Sequence, residues 1–496
     1  MCWGPGCLRK VCRCGFLLAR ERWGFVPAGQ LLSVLGWGRE ALTKRTRNDR
    51  GSFASSVASV VGGQVACALL ALVTEICYAR VLGPAGRGQI SLCLMAIAFG
   101  VLVGGMGGEG TIILWSADAR RRATTWLPAV LLWGFLGCVL TCSFWVFAYW
   151  KWHPAFLRNL NPILAIIVLL SIPIGVFFDY QIGMLVGEER FKTRAGVATA
   201  SQAAGLLGFA ALLFFGRNPE NAMWGNLLGI LVGVGIAAAV LKGAFRGFWK
   251  LGAARASFAP TLSFAMRCQF GLVASFFNYR LDIFIVNYFL DAAQLGLYAL
   301  AVVISEALWQ IPAAAALALF PRTARTIDEG ATEFTCTIMR QIIVIACAGA
   351  ILIAIASWLF LPLVFGERFR PSIVVVWLLL PGTLALSLGK LGASDLAGRG
   401  KSGYSSIFSI IALIVTVLLD LLFIPRLGIH GAALASSAAY FTNSILILTA
   451  LRYELKVSWK SLLVPTSADF ASYQQVWSRF RLWMRPATVL SGGQPE

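Results

Sequence analysis

The apolar positions of this chain come in long uninterrupted blocks. Ala123–Trp150, Ala195–Gly216, Asn221–Leu241 and Gln341–Gly366 contain no Asp, Glu, Lys or Arg. Each exceeds the roughly 20 residues that cross a hydrocarbon core of about 30 Å. Twelve stretches of this kind can be placed, near 54–80, 89–114, 126–150, 162–186, 193–216, 222–241, 262–288, 294–320, 340–365, 372–390, 404–424 and 428–451. They predict an all-α integral membrane protein with about twelve transmembrane helices. Residues 1–50 precede them and 452–496 follow, and the longest connection is 242–261. An even number of crossings puts both termini on one side.

Composition agrees and narrows the field. Of 496 residues, 58% are hydrophobic and 13% charged, against roughly 25% charged in soluble domains. Soluble enzyme classes are excluded. The net charge of +20 would suit a nucleic-acid partner, but topology accounts for it. Thirty-one Lys and Arg, Lys390 at a span end among them, fall on the side of the termini and seven, including Arg87 in a loop, on the other, while Arg80, Arg267, Arg280 and Arg340 fall within spans. This is the positive-inside pattern, so both termini are expected in the cytoplasm and no nucleic-acid partner is needed.

The tails carry less information. Four of the twelve cysteines, Cys2, Cys7, Cys12 and Cys14, crowd the N-terminus with no nearby His. Neither a metal site nor a disulfide framework is expected. Residues 1–50 lack a clean apolar core followed by a small-residue cleavage site, so they read as a basic tail, either disordered or interfacial around Trp23–Gly38, and not as a signal peptide. In the tail 452–496, Phe470, Tyr473, Trp477, Phe480 and Met484 recur at helical spacing beside Arg479, Arg481 and Arg485. That predicts an amphipathic helix on the membrane surface.

Landmarks repeat between the halves. Leu82, Ala85 and Gly88 match Leu290, Ala293 and Gly296 at an offset of 208, as Pro173 matches Pro381. The turn Gly187-Glu188-Glu189-Arg190 resembles Gly398-Arg399-Gly400-Lys401, and Gly225 pairs with Gly431. Six spans separate the copies, so both start on the same side and are parallel repeats. The expected layout is a six-helix bundle at 51–241, a linker at 242–261 and a second bundle at 262–451, facing each other across a central cavity.

Three passages carry a family resemblance: Ala79-Arg80-Val81-Leu82-Gly83-Pro84-Ala85-Gly86-Arg87-Gly88; Tyr279-Arg280-Leu281-Asp282-Ile283-Phe284 with Gly296-Leu297-Tyr298-Ala299 and Phe320-Pro321-Arg322; and Ala397-Gly398-Arg399-Gly400-Lys401 with Gly428-Ile429-His430-Gly431-Ala432-Ala433. Over about residues 51–451 the chain resembles the polysaccharide-type, Wzx-like flippases of the multidrug/oligosaccharidyl-lipid/polysaccharide exporter superfamily. The resemblance implies export of a polyprenyl-diphosphate-linked oligosaccharide across the inner membrane by alternating access, for surface polysaccharide or lipopolysaccharide biosynthesis. It implies as partners the membrane lipid, that glycan and other polysaccharide assembly proteins.

Ionisable groups inside spans cost about 2.5–3.5 kcal/mol each on insertion scales and therefore face a cavity or a partner. Glu75 and Arg80 lie in the first span, Glu109 in the second, Arg280 and Asp282 in the seventh, and Glu306 in the eighth. A lipid diphosphate needs cations, and the planar Arg fork suits phosphate oxygens. Arg280 and then Arg80 are the headgroup candidates. Arg280 could instead be a structural partner of Glu306 or Asp282, or snorkel to the interface. Glu75, Glu109, Asp282 and Glu306 are candidates to bind a coupling Na⁺ or H⁺, or to neutralise the arginines. Asp179 and Asp420 are expected at the cavity rim or interface. Five glycines within Gly104–Gly110 predict either a helix break beside Glu109 or close packing. Trp145, Trp150 and Trp152 read as an interfacial belt.

Two other readings remain. A drug or cation antiporter would share the two-bundle plan. A membrane glycosyltransferase, polymerase or ligase would need carboxylates or His on a substantial external loop, and the longest, near 151–161, offers one His, with His430 the only other in the chain.

Overall fold

The computed structural model describes residues 49–116, 123–156, 160–242, 251–309, 329–401 and 403–466, with 312, 315 and 316. The basic N-terminal tail, Phe320-Pro321-Arg322, Arg120–Arg122 and the surface helix expected around 470–484 lie outside these residues. Among the described residues the regular structure is helical and no strand occurs. The helices are α1 Asp49–Gly105, α2 Gly108–Ser116, α3 Ala123–Phe156, α4 Pro162–Gly187, α5 Phe191–Leu212, α6 Pro219–Val240, α7 Leu251–Phe289, α8 Ala292–Glu306, α9 Glu329–Phe365, α10 Ser372–Gly398, α11 Gly403–Leu427, α12 Ile429–Leu455 and α13 Trp459–Leu463. Short 3₁₀ turns follow α5, α8 and α9.

Among the described residues ten stretches are long and apolar enough to cross a membrane, and one of them, Ala66–Gly105, belongs to α1. That helix breaks at Gly83, whose φ of 66° and ψ of −173° leave the helical region. Glycine adopts this conformation without a Cβ penalty. The two limbs of α1 are the first and second spans, and α7 completes twelve. α7 begins at Leu251, so helix occupies much of the expected linker. Large apolar side chains such as Phe135, Leu140, Phe214, Leu352, Trp358 and Leu418 are exposed. In water a surface of this kind would drive association, whereas lipid solvates it.

Buried side chains separate into one shared cluster and two private ones. The shared cluster gathers Tyr78, Ile90, Leu164, Phe209 and Met223 from the first half with Val286, Tyr298, Phe369, Val376 and Ile424 from the second. All lie toward the short-loop end, where the Gly83 corner approaches Arg368, Gly86 approaches Pro219 and Gly428 approaches Gln294. At the other end, Ile112, Trp126, Leu185, Val197 and Leu241 form a cluster confined to the first half. Met339, Leu391, Leu451 and Leu462 form its counterpart in the second. The halves therefore share one buried core at the short-loop end and keep separate cores at the other. At that other end the halves also touch: α7 rests on α3, Gln269 Nε2 of α7 donates to Leu102 O of α1 at 2.9 Å, and a Cβ on Gly107 would overlap the carbonyl of Ala265.

The duplication is visible in backbone detail. After α4, Glu188 N, Glu189 N and Arg190 N donate to Met184 O, Val186 O and Leu185 O. After α10, Arg399 N, Gly400 N and Lys401 N donate to Asp395 O, Ala397 O and Leu396 O. The third bond of each set closes the six-to-one contact of a Schellman cap. The left-handed position is Gly400 at φ 78° in one copy and Glu189 at φ 56° in the other.

The tightest joint between the halves is made by two repeat-equivalent glycines. A methyl group on Gly88 would overlap the carbonyl of Ala292 and crowd Gly296 N, while one on Gly296 would overlap the carbonyl of Pro84 and crowd Gly88 N. Backbone thus lies on backbone where α1 crosses α8, as in other small-residue helix contacts. Gly225 and Gly229 of α6 serve the same purpose within the first half, against Phe209 and Gly205 of α5.

Gly88→Ala or Gly296→Ala is expected to destabilise the protein by about 1–3 kcal/mol, as overpacking of a full core does. Gly196→Ala, with open space around its Cβ position, is expected to be neutral or slightly stabilising, since Ala favours a helix interior. Thermal unfolding of the purified protein in detergent compares the three, and equal melting temperatures would contradict the seam.

Candidate functional site

Several intramembrane charges are consumed by structure. Arg87, expected in a loop on the face away from the termini, lies inside the second limb of α1 and is 2% exposed. Its Nη2 pairs with Glu75 Oε2 of the first limb at 2.6 Å, and its Nη1 donates to Ser91 Oγ. The pair ties the limbs together across the Gly83 corner. Arg80 reaches the other half: its Nε donates to Val364 O at 2.7 Å and its Nη2 to Leu363 O. These are among the last carbonyls of α9, which have no intrahelical partner, and a cation there meets the negative end of the helix dipole.

Glu109 follows a true break in the helix. Met106 and Gly107 take left-handed φ values of 44° and 71°. Carbonyls freed there are taken by side chains: Tyr180 Oη donates to Gly105 O at 2.8 Å and Trp133 Nε1 to Met106 O at 3.1 Å. Close packing accompanies the break, because Cβ atoms on Gly108 and Gly134 would both strike Tyr180. Both expectations for this glycine run hold together. Glu109 itself is exposed and lies within electrostatic range of Arg194 and Asp179.

The second half assembles a denser group. Arg280 of α7 pairs with Glu306 at the end of α8, Nη2 to Oε2, at 2.7 Å, with side chains 26% and 16% exposed. Lys390 of α10 points at the same place. Its Nζ sits 3.5 Å from the Trp309 ring centroid and 4.9 Å from that of Tyr279, and it lies within electrostatic range of Glu306 and Arg280. Tyr440 of α12 completes a ring triangle, with centroids 6.4 Å from Tyr279 and 6.2 Å from Trp309. Four elements thus converge. From helical rise, these residues lie about 13–27 Å along their helices from the short-loop end, tailward of the shared cluster.

A third group lies deeper. Asp282 turns away from Arg280: its Oδ2 accepts from Tyr298 Oη at 2.5 Å and its Oδ1 from Ile283 N at 2.8 Å. Tyr298 Oη also meets Ser436 Oγ at 3.1 Å. Asp420 of α11, expected at a rim or interface, is completely buried, and neither of its carboxylate oxygens has a hydrogen-bond partner. It lies within electrostatic range of Asp282.

Lys390, Trp309 and Tyr440 were not singled out from sequence. The charge pattern puts Lys390 at the end of a span on the termini side, whereas α10 continues to Gly398 and carries it inside. The available signal was a single Lys with no Pro or run of polar residues after it to end the helix. Trp145, read as interfacial, is 8% exposed and packs edge-on against Phe99, whereas Trp150 at 80% exposure fits a belt.

The sequence model of the family described as "Polysaccharide biosynthesis protein" matches residues 53–327, more than half of the chain. Among solved structures, the lipid II flippase MurJ in an inward closed conformation superposes with a TM-score of 0.63 at 14% identity, covering 86% of this chain and 96% of that one. A multidrug resistance MATE family transporter of the MOP superfamily, inward-facing, gives 0.57 at 17% identity over 79% and 94%. The outward-facing conformation of such a transporter gives 0.54 at 16% over 81% and 94%. At these identities the likeness is one of fold. No curated protein sequence matches the chain.

Glu75→Ala would strand Arg87 in the interior, and removing one partner of a buried pair costs about 3–5 kcal/mol. The lower figure is expected, because Glu75 is 20% exposed. Glu367→Ala, which breaks the solvent-exposed pair with Arg370, is expected to change stability by less than about 1 kcal/mol. Unfolding in detergent separates the two, and similar small losses for both would remove the structural role given to the Glu75–Arg87 pair.

Proposed function

The chain belongs to the polysaccharide biosynthesis protein family, and on that premise we propose that it is a flippase for a polyprenyl-diphosphate-linked oligosaccharide. The observation that carries this reading is the group around Arg280, where two cationic side chains, Arg280 and Lys390, converge on one carboxylate, Glu306. A site with that balance attracts an anion. A diphosphate can take the planar Arg fork and the mobile Lys head together. The same balance disfavours a cationic drug as cargo, which the antiporter reading would require.

Movement follows from how the halves are joined. With the shared cluster closing the short-loop end and separate clusters at the other, the halves can rock about the joint, exposing Arg280 to each side in turn. Arg80 belongs to the closed end in this reading, holding α1 to α9, and does not contact the headgroup. The charge pattern puts both termini in the cytoplasm, so the halves part toward the cytoplasmic leaflet, where lipid-linked sugars would enter.

Asp282 and Asp420 are the best-placed seat for a coupling cation, H⁺ or Na⁺. Two buried carboxylates of like sign, one without partners, gain from a compensating positive charge. Glu75 is committed to Arg87, and Glu306 to the headgroup site.

Arg280→Ala is expected to abolish export while the protein still inserts, leaving lipid-linked repeats on the cytoplasmic leaflet. Arg80→Ala should retain headgroup binding and lose stability. Leaflet-resolved labelling of lipid-linked glycan in cells carrying each variant as sole flippase checks this. Unchanged export with Arg280→Ala would remove that residue from the mechanism, and normal surfacing in cells without the protein would remove the function.

A further inference from the structure

Once Arg280 has engaged Glu306 Oε2, two polar atoms of the same turn have no hydrogen-bond partner: Glu306 Oε1, an acceptor, and Trp309 Nε1, a donor, both buried. Glu306 ends α8 and Trp309 closes the 3₁₀ turn Ala307–Trp309 that follows, and both lie beside Lys390. Leaving such atoms unpaired is costly, so a site that holds both is built for a group that can satisfy both. A phosphate oxygen only accepts and would serve Trp309. An ammonium only donates and would serve Glu306. A hydroxyl does both, and beside an aromatic face a hydroxylated ring is a carbohydrate.

That aromatic face carries Lys390, whose Nζ lies 3.5 Å from the Trp309 centroid. Cation–π contact is weaker than a charge-assisted hydrogen bond to phosphate. A diphosphate arriving beside Arg280 would therefore draw the flexible Lys390 head off the ring.

We propose that Glu306, Trp309 and Tyr279 form a seat for the sugar residue joined directly to the lipid diphosphate, and that Lys390 covers this seat until phosphate draws it away. The inference rests on the flippase reading and deepens it: anion binding by Arg280 and Lys390 and sugar recognition by Trp309 are coupled through one lysine. A bare prenyl diphosphate displaces Lys390 without filling the seat, so the sugar-bearing lipid is preferred.

The test uses the full chain in nanodiscs and four probes: farnesyl diphosphate, and farnesyl diphosphate carrying glucose, galactose or N-acetylglucosamine. At least one sugar-bearing probe should bind about tenfold more tightly than the bare diphosphate, the worth of roughly one hydrogen bond with a ring contact. Trp309→Leu should erase that preference without weakening the binding of farnesyl diphosphate, since it also removes the ring that holds Lys390. Trp309→Phe, which keeps the packing but lacks the N–H, should reduce the preference and serves if the Leu variant does not fold. Equal binding of all four probes to the wild-type protein, or a preference that survives both substitutions, would overturn the sugar seat while leaving the flippase reading intact. Failure of the wild-type protein to bind any diphosphate would overturn the flippase reading itself.

Discussion

Everything in this fold hangs on the contact between Gly88 and Gly296. Lipid surrounds the helices and supplies no hydrophobic drive for joining them, so association relies on close packing. At this joint α1 and α8 meet through backbone alone. Each glycine is the other's repeat equivalent, so the contact is symmetric within the duplication. Around it lies the buried cluster common to both halves, and Arg80 adds a polar clamp to the carbonyl end of α9. A joint this tight at one end leaves the far ends to be held by separate clusters, one per half. The halves meet again where Gly107 lies against Ala265, and that second contact has to open if they are to rock about the first.

Charge inside the membrane is divided by the same geometry. Near the joint, ionisable groups are spent on structure: Glu75 on Arg87, and Arg80 on open carbonyls. Other buried polar atoms lack hydrogen-bond partners in both halves, Gln181 Oε1 and Trp126 Nε1 among them in the first. Glu306 keeps one free oxygen, Trp309 a free N–H and Asp420 two free oxygens. A hydrocarbon environment penalises such loose ends heavily. Those of Glu306 and Trp309 gather beside Lys390, whose head lies against two aromatic faces and within range of Glu306.

Some of this arrangement was legible in the chain and some was not. The turns at 187–190 and 398–401 could be matched by eye, and their hydrogen bonds correspond one for one. Arg280 and Glu306 stood out because a charge in an apolar run must have a partner. Arg87 was misplaced because Gly83 and Pro84 signal a loop, whereas helix resumes at once and carries Arg87 back into the protein. Lys390 was misplaced because one lysine near the end of an apolar run looks like a helix end, and nothing local shows that α10 continues to Gly398.

Membrane class, helix number, the duplication and the inventory of costly charges were determined by the sequence alone, because each depends on local chemistry: apolar length, basic residues in loops, recurring turn residues. Which charges pair and which remain available was decided only by tertiary structure. Glu75 differs from Glu306, and Arg80 from Arg280, solely in what other helices bring near. Those neighbours lie up to about 280 residues away in the chain, as Arg80 and Val364 do, and no local pattern records a contact of that range.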